Sequence, residues 1–415
     1  MCGQASTYGV EQKSQSFERS LESRCQVALL TAGRDKPYAL GMASALLANK
    51  VSFDFIGSDL VDGPELHANP LVRFLNFRDQ RVDAPAAAKV GRVLAYYWRL
   101  IRYTAGAEPR VFHILWNNKF EFFDRTLMMV YYKVMGKRIV LTVHNVNSGK
   151  RDSSDSYLNR LSLRIQYALC DRIFVHTERM RNDLISEFAV PPTKVTVIPF
   201  GINNTVPNTS LSTNEAKRKL GVSGSDKTLL FFGNIAPYKG LEYLVAAFIK
   251  IAKEDQSYRL IIAGRPKGSE DYWNRIHEEI TNGGVNDRII QKIEYIPDEG
   301  TELYFKAADV LILPYTQIFQ SGVLFLGYAF GLPAIVADVG SLKEEIIENE
   351  TGFVFTSRDS SDLASKIDKY FKSELFRDLD ARREDIKTYA NEKYSWDKVA
   401  TITTTVYSQL LTSDL

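Results

Sequence analysis

A lysine at the mouth of a helix, just after a glycine-bearing turn, is suited to holding a phosphate group. The segment 228–248, TLLFFGNIAPYKGLEYLVAAF, has that form. An apolar strand runs to Gly233, Asn234 and Pro237 make a turn, and Lys239-Gly240 opens a helix with apolar positions at Leu241, Leu244, Val245 and Phe248. The first N–H groups of a helix have no partner within it, and its dipole is positive at that end, so an ammonium there adds a full charge to a partial one. Taken alone, Lys239 reads equally well as a solvated lysine beside a strand end. A second place of this kind lies further on. Leu313-Pro314-Tyr315 leads into Gln320-Ser321-Gly322-Val323, where successive backbone N–H groups of Ser321, Gly322 and Val323 can face an anion at a helix start. An ordinary strand-to-helix turn is the alternative. Two anion-ready helix starts in one half of the chain favour a diphosphate over either reading alone.

The histidines separate by context. His144 ends the apolar run Ile139–Val143, at the carboxyl edge where doubly wound sheets place ligands. His176 either lines the same edge or caps its strand. His113 sits inside the apolar run Val111–Leu115 and reads as a core residue with a satisfied nitrogen, while His67 and His277 carry no signal. No metal or other cofactor is expected. The one D-x-D, Asp378-Leu379-Asp380, falls in a charged helical stretch, and the three cysteines, Cys2, Cys25 and Cys170, form no C-x-x-C. Leaving-group charge would fall to Lys239 and oriented amides. Neither Ala32-Gly33-Arg34-Asp35 nor Gly233-Asn234-Ile235 makes the G-x-G-x-x-G turn of a dinucleotide site.

These residues need a scaffold of short buried strands alternating with helices. The runs 25–31, 51–56, 111–116, 138–143, 172–175 and 194–198 read as such strands, with a helix predicted over Ala39–Ala48 after the first. A polar stretch, 201–214 (GINNTVPNTSLSTN), breaks the pattern as a linker. The alternation then restarts at 228–232, 259–263, 290–295, 310–313, 334–337 and 352–355. Two parallel, doubly wound α/β sheets follow. The chain has 415 residues, 45% of them hydrophobic and 25% charged, with a net charge of +2, which excludes a disordered chain and gives no global basic field for nucleic acid. Residues 1–24 lack an apolar h-region and read as a flexible tail, and the cysteine usage fits a cytoplasmic setting. One helical stretch, residues 92–103, mixes Arg92, Arg99 and Arg102 with Tyr96, Tyr97, Trp98 and Tyr103. It reads either as a helix lying peripherally on the inner face of an anionic membrane or as an ordinary amphipathic helix.

An ordered series of motifs carries a family resemblance. Gly233…Lys239-Gly240 is followed by Ile261-Ile262-Ala263-Gly264, Ala308-Asp309-Val310…Leu313-Pro314 and Ala329-Phe330-Gly331-Leu332-Pro333, then by Val339-Gly340-Ser341 and Thr351-Gly352. The chain resembles glycosyltransferase family 4, the group 1 glycosyltransferases, through these pieces and through Thr142-Val143-His144-Asn145, Val175-His176-Thr177-Glu178 and the stretch 195–201 in the first half. The resemblance implies a GT-B fold, with two Rossmann-like domains facing a central cleft. An acceptor-side domain would span 25–204, with the helix 396–415 packing back on it, and a nucleotide-sugar domain would span 205–395. It implies that Lys239 holds the donor diphosphate with Gly233, Asn234 and the amides of Ser321, Gly322 and Val323, and that His144 stands near the transferred sugar. Two departures follow from the same alignment. Asn234 stands where the family has Arg, a role open to Arg265, and Ile318 and Leu326 stand where it has two glutamates eight positions apart. Gln317 and Gln320 flank the first of these and offer uncharged hydrogen bonds to donor sugar or ribose; Gly33 and His176 complete the expected cleft. The implied activity is transfer of a sugar, with retention of configuration, from a nucleoside-diphosphate-sugar to a glycan or lipid-linked acceptor in polysaccharide or cell-envelope synthesis. A catalytically silent sugar-nucleotide-binding subunit and a sugar-nucleotide epimerase are the alternatives.

Overall fold

The structure, a computed structural model, describes residues 26–33, 35–78, 86–151, 154–202 and 206–412. The tail expected over 1–24 and Arg34 lie outside the described residues. The chain forms two compact units, one from the described residues up to Phe200 plus the last helix, Trp396–Thr412, the other from Gly201–Ser395.

The first unit holds seven strands: β1 (Val27–Leu30), β2 (Phe53–Ser58), β3 (Val72–Arg78), β4 (Val111–Ile114), β5 (Arg138–Val143), β6 (Arg172–Val175) and β7 (Val195–Val197). They pair in parallel in the order β3-β2-β1-β4-β5-β6-β7. Every residue of β1, β2 and β4 is buried, as continuous apolar runs covered on both faces require. The core joins Val27, Phe55, Val111, Val140 and Phe174 of the sheet to Met42 and Leu46 of the helix Lys36–Ala48, and to Val399 and Val406 of the last helix. Those two helices touch at Gly41, where a Cβ would come within 2.0 Å of the Trp396 ring, so no larger residue fits.

Local rules account for where elements differ from the expectation. The first helix begins at Lys36 rather than Ala39, because Pro37 fits the first turn, where its missing N–H costs nothing, and the Asp35 carboxylate accepts the Tyr38 N–H at 3.3 Å. Strand β3 (VRFLNFR) escapes a search for apolar runs because it is an edge strand, paired with β2 alone. Its Arg73 Nε donates to the buried Asp54 carboxylate at 2.8 Å, so a charge pair does what a methyl group does elsewhere.

The second unit repeats the plan with β8 (Lys227–Phe232), β9 (Tyr258–Ala263), β10 (Ile289–Lys292), β11 (Val310–Leu313), β12 (Ala334–Ala337) and β13 (Gly352–Phe355), in the order β10-β9-β8-β11-β12-β13. Strand β10 stops at Lys292, three residues short of the apolar run read from sequence. In each sheet the strand order reverses once, between β1 and β4 and between β8 and β11. Crevices that bind ligands form beyond the carboxyl ends of strands at such points.

Candidate functional site

In the second unit both anion-ready segments leave the two strands of the switch point. After β8 the chain turns at Gly233, which has φ of 99° and donates its N–H to Ala263 at 2.9 Å. A short 3-10 turn, Pro237–Lys239, leads to Gly240 and the helix Leu241–Glu254, whose Leu241, Leu244, Val245 and Phe248 are fully buried. Gly240 has φ of 63°, and a Cβ on it would come within 2.0 Å of the Pro314 carbonyl. The turn is thus sewn to the segment leaving β11, where the Thr316 N–H also donates to the Tyr238 carbonyl at 2.8 Å. That segment ends at Ser321, the cap of the helix Gly322–Ala329.

Lys239 and the helix start come together at Gly233. A Cβ there would stand 3.0 Å from Lys239 Nζ and 3.7 Å from Val323 Cγ2. The lysine is only 6% exposed, yet its ammonium has no carboxylate or other hydrogen-bond partner among the described residues. Its nearest company is aromatic, with the Tyr315 ring centroid at 5.2 Å and Phe231 at 6.0 Å. Burial therefore pushes the Lys239 ammonium below its usual range. A buried cation close to the start of a helix calls for an anion.

The other residues singled out from sequence spread around this point. Asn234 is exposed, and Arg265 lies beside it through the Ile235 N–H, which donates to the Arg265 carbonyl at 2.9 Å; its guanidinium stands 5.2 Å from the Tyr295 ring. Gln317 is exposed. Gln320 donates from Nε2 to Glu345 at 3.2 Å, while its Oε1 is buried without a partner. Glu345 also accepts from Tyr394 Oη and from Lys393 at 3.3 Å. This buried carboxylate behind the loop escaped sequence reasoning, since the adjacent Glu344 and Glu345 differ only in burial. Ile318 is half-buried, and its carbonyl lies so close to Gly340 that a Cβ there would stand 1.8 Å away; Leu326 is buried.

The first unit gathers a second set. His144 follows β5, His176 follows β6, and the two rings meet with His176 Nε2 3.1 Å from His144 Nδ1. His176 Nδ1 faces the Ile198 carbonyl at 3.4 Å, and a carbonyl only accepts. The Ile198 carbonyl assigns the proton to His176 Nδ1, and in that arrangement its Nε2 accepts from His144 Nδ1–H and His144 Nε2 keeps a lone pair. That Nε2 is buried without a well-aligned hydrogen bond, with the Leu115 backbone beside the ring. Burial pushes the His144 imidazolium well below its usual range, with His176 adding to the effect, and takes His176 down to about 4. Both rings are neutral near pH 7. His113 is the core residue its context implied: wholly buried, with Tyr407 Oη at 2.5 Å and Thr142 Oγ1 at 2.7 Å.

An aromatic wall surrounds His144. Trp116, just past β4, stacks on it at 4.4 Å, and Tyr38 meets it edge-on at 4.7 Å. Phe200 and Trp396 lie against Tyr38 at 5.4 and 5.2 Å. Gly33 lies in the loop after β1, where Ala32, Gly33 and Asp35 all have positive φ, and its N–H donates to Thr31 Oγ1 at 3.2 Å. Backbone held in the left-handed region is strain of the kind stored at functional loops. No cluster of three or more metal-ligating side chains occurs among the described residues.

Two doubly wound sheets, each with its conspicuous residues beyond the carboxyl ends of its strands, define a two-domain α/β protein of the GT-B fold. Among solved structures, sucrose-phosphate synthase from Thermosynechococcus elongatus superposes with a TM-score of 0.73 at 18% identity, covering 94% of this chain and 100% of its own. Anabaena HepE, solved with UDP and glucose, gives 0.72 at 15%, covering 93% and 100%. Residues 19–205 match the sequence profile described as Glycosyltransferase Family 4, and residues 212–393 match that described as Glycosyl transferases group 1. The chain belongs to the group 1 glycosyltransferases. An uncharacterized glycosyltransferase of Methanocaldococcus jannaschii is 30% identical over 244 residues, 58% of this chain and 60% of its own length. A D-inositol 3-phosphate glycosyltransferase of Corynebacterium aurimucosum is 24% identical over 281 residues, 66% of this chain and 65% of its own. The match thus spans 60% and 65% of the length of these two curated relatives.

Proposed function

We propose that this protein transfers a sugar from a nucleoside-diphosphate-sugar to a glycan or lipid-linked acceptor, in polysaccharide, glycolipid or cell-envelope glycan synthesis. The observation that carries the reading is Lys239, a buried cation without a counter-anion, close to the start of the helix Gly322–Ala329. A diphosphate supplies the charge this pocket lacks. As the sugar–phosphate bond breaks, negative charge grows on the departing diphosphate, and Lys239 with the amides of Gly322 and Val323 meets it without reorganising. The sugar left behind is oxocarbenium-like, as in glycoside hydrolysis. His144 then serves as a hydrogen-bond acceptor for a sugar hydroxyl through its Nε2, once donor binding uncovers that atom. No step requires a metal ion. Gln320, held by Glu345 and with Oε1 free, offers an acceptor to donor hydroxyls where the family's glutamate is replaced by Ile318. Retention of configuration stays part of the proposal, testable from the anomer of the product.

The test is turnover of the whole chain on a panel of nucleotide sugars with a lipid-phosphate extract. UDP-glucose is the first donor, since HepE was also solved with it. Lys239→Ala should lower transfer at least about tenfold, the cost of one charge-assisted phosphate contact. Wild-type kinetics in that variant would remove the anchor of the reading. Donor binding without transfer or slow hydrolysis would favour a silent sugar-nucleotide-binding subunit, and donor conversion without acceptor would favour an epimerase.

A further inference from the structure

Among the described residues, thirteen large apolar side chains are exposed, and nine of them fall within residues 90–134. The helix Ala86–Gly106 explains four. Tyr96, Tyr97, Leu100 and Thr104 are buried on its inner face, while Val90, Leu94, Trp98 and Ile101 form a second stripe pointing outward. Their spacing of four, four and three residues keeps them on one side of the helix. Leu127, Val130 and Val134 make a similar stripe on the neighbouring segment, with Phe120 and Phe122 just before it. The two segments are tied together, since Tyr131 Oη donates to the Ile101 carbonyl at 2.9 Å and Tyr97 packs on Phe123 at 5.1 Å. The exposed stripes therefore belong to one continuous face.

Its charge is as uneven as its hydropathy. Residues 86–138 hold ten Lys and Arg against three Asp and Glu, in a chain whose net charge is +2. The helix Ala86–Gly106 contains no acidic residue at all. Arg99 and Arg102 are exposed beside the apolar stripe, Arg102 lying 5.4 Å from the Trp98 ring. Apolar and aromatic side chains flanked by arginines fit the boundary between acyl chains and anionic head groups. A second copy of this chain fits poorly, because an isologous contact would set this positive face against itself. No described helix is long and apolar enough to cross a membrane.

We propose that the face formed by the helix Ala86–Gly106 and the segment 120–134 docks on an anionic lipid surface, inserting Leu94 and Trp98 while Arg99 and Arg102 meet head groups. The same helix reaches the candidate site. Its buried Tyr96 and Leu100 line a small space with Asn118, Asp124 and Trp116, and Trp116 stacks on His144. If the glycosyltransfer reading holds, on which this last step rests, an acceptor head group enters there from the bilayer.

Binding is measured without activity, by co-sedimentation of the whole chain with phosphatidylcholine vesicles, with and without phosphatidylserine. The protein should sediment with the anionic vesicles at low salt, with Trp98 fluorescence shifted to the blue. Leu94→Glu with Trp98→Glu, and separately Arg99→Glu with Arg102→Glu, should each weaken partitioning at least tenfold while leaving circular dichroism and nucleotide binding unchanged. Equal binding to both vesicles, no binding, or wild-type partitioning in both variants overturns the proposal. Self-association abolished by the same variants would instead assign the face to a second copy. Failure of sugar transfer with vesicle binding intact would count against the catalytic reading alone.

Discussion

His176 carries one ring proton, and its neighbours decide where. With Ile198 accepting on one side, the ring presents an acceptor to His144 on the other, so His144 in turn presents a lone pair at Nε2. Replacing His176 by Gln keeps an amide oxygen able to accept from His144 Nδ1–H, whereas Leu removes it and leaves a buried donor unsatisfied. His176→Gln should hold sugar transfer within about threefold of wild type and preserve the Nδ1–H tautomer of His144 by nitrogen-15 NMR. His176→Leu should lower kcat about tenfold or more and mix the two tautomers. A tautomer unaffected in the Leu variant would reduce His176 to packing. His144→Ala should impair transfer with the fold intact, and unimpaired turnover would make His144 scaffolding. Lys239 was legible because its signal is local, a glycine turn and a helix start within ten residues. The wall around His144 was not, because Tyr38, Trp116, Phe200 and Trp396 come from four separate stretches that only the sheet order brings together.

At the level of elements, two turns with the same backbone sign separate conformational cost from contact cost. Gly240 and Gly221 both have positive φ, at 63° and 72°. A methyl group on Gly221 would meet nothing within 4 Å, while one on Gly240 would come within 2.0 Å of the Pro314 carbonyl. Gly221→Ala should cost about 1 kcal/mol in urea denaturation, the price of a left-handed alanine. Gly240→Ala should cost at least about 2 kcal/mol more and also raise the donor KM, because the displaced backbone carries Lys239 and the segment leading to Ser321. Equal losses in the two variants would mean that the two turns are not held together as described. Elements were read from sequence where burial on both faces makes a strand continuously apolar, as in β1, β5 and β11. β3 was missed because an edge strand mixes Arg73, Asn76 and Arg78 with its apolar residues and relies on a charge pair with Asp54. The start of the first helix differs because a proline and a capping carboxylate, rather than hydrophobic period, set its boundary.

On the scale of the whole molecule, the two units share a fold plan but differ in how they carry protons. The first unit buries His113 and His176 and half-buries His144, whereas the single histidine of the second, His277, is exposed. Burial holds His113 down to about 3 and His176 to about 4, against an unfolded value near 6.5. Above pH 6.5 neither state binds these protons and stability is unaffected. As pH falls below 6.5 the unfolded chain takes them up and the native unit does not, so stability drops steadily toward pH 4. At pH 5 the loss is about 2 kcal/mol for each of the two groups, with His144 shifted in the same direction. Carboxylates held low, such as Asp155 in the first unit and Asp255 in the second, both near 2, lose their contribution only below the ordinary carboxylate range. Asp183 in the first unit and Glu279 in the second are raised by burial and act with the opposite sign near that same range. Between pH 6.5 and about 5 the histidines therefore lower the stability of the first unit alone, while the buried Asp35 in the first unit and Asp309 in the second, both raised by burial, act with the opposite sign. The tryptophans report the units separately, because Trp98, Trp116 and Trp396 lie in the first and Trp273 in the second. In a Trp273→Phe variant the urea midpoint followed by fluorescence should fall between pH 7.5 and 5. In a chain retaining only Trp273 it should not fall. His113→Gln should flatten the first slope by about one proton, and an equal fall in both units, or none in the first, would refute the assignment.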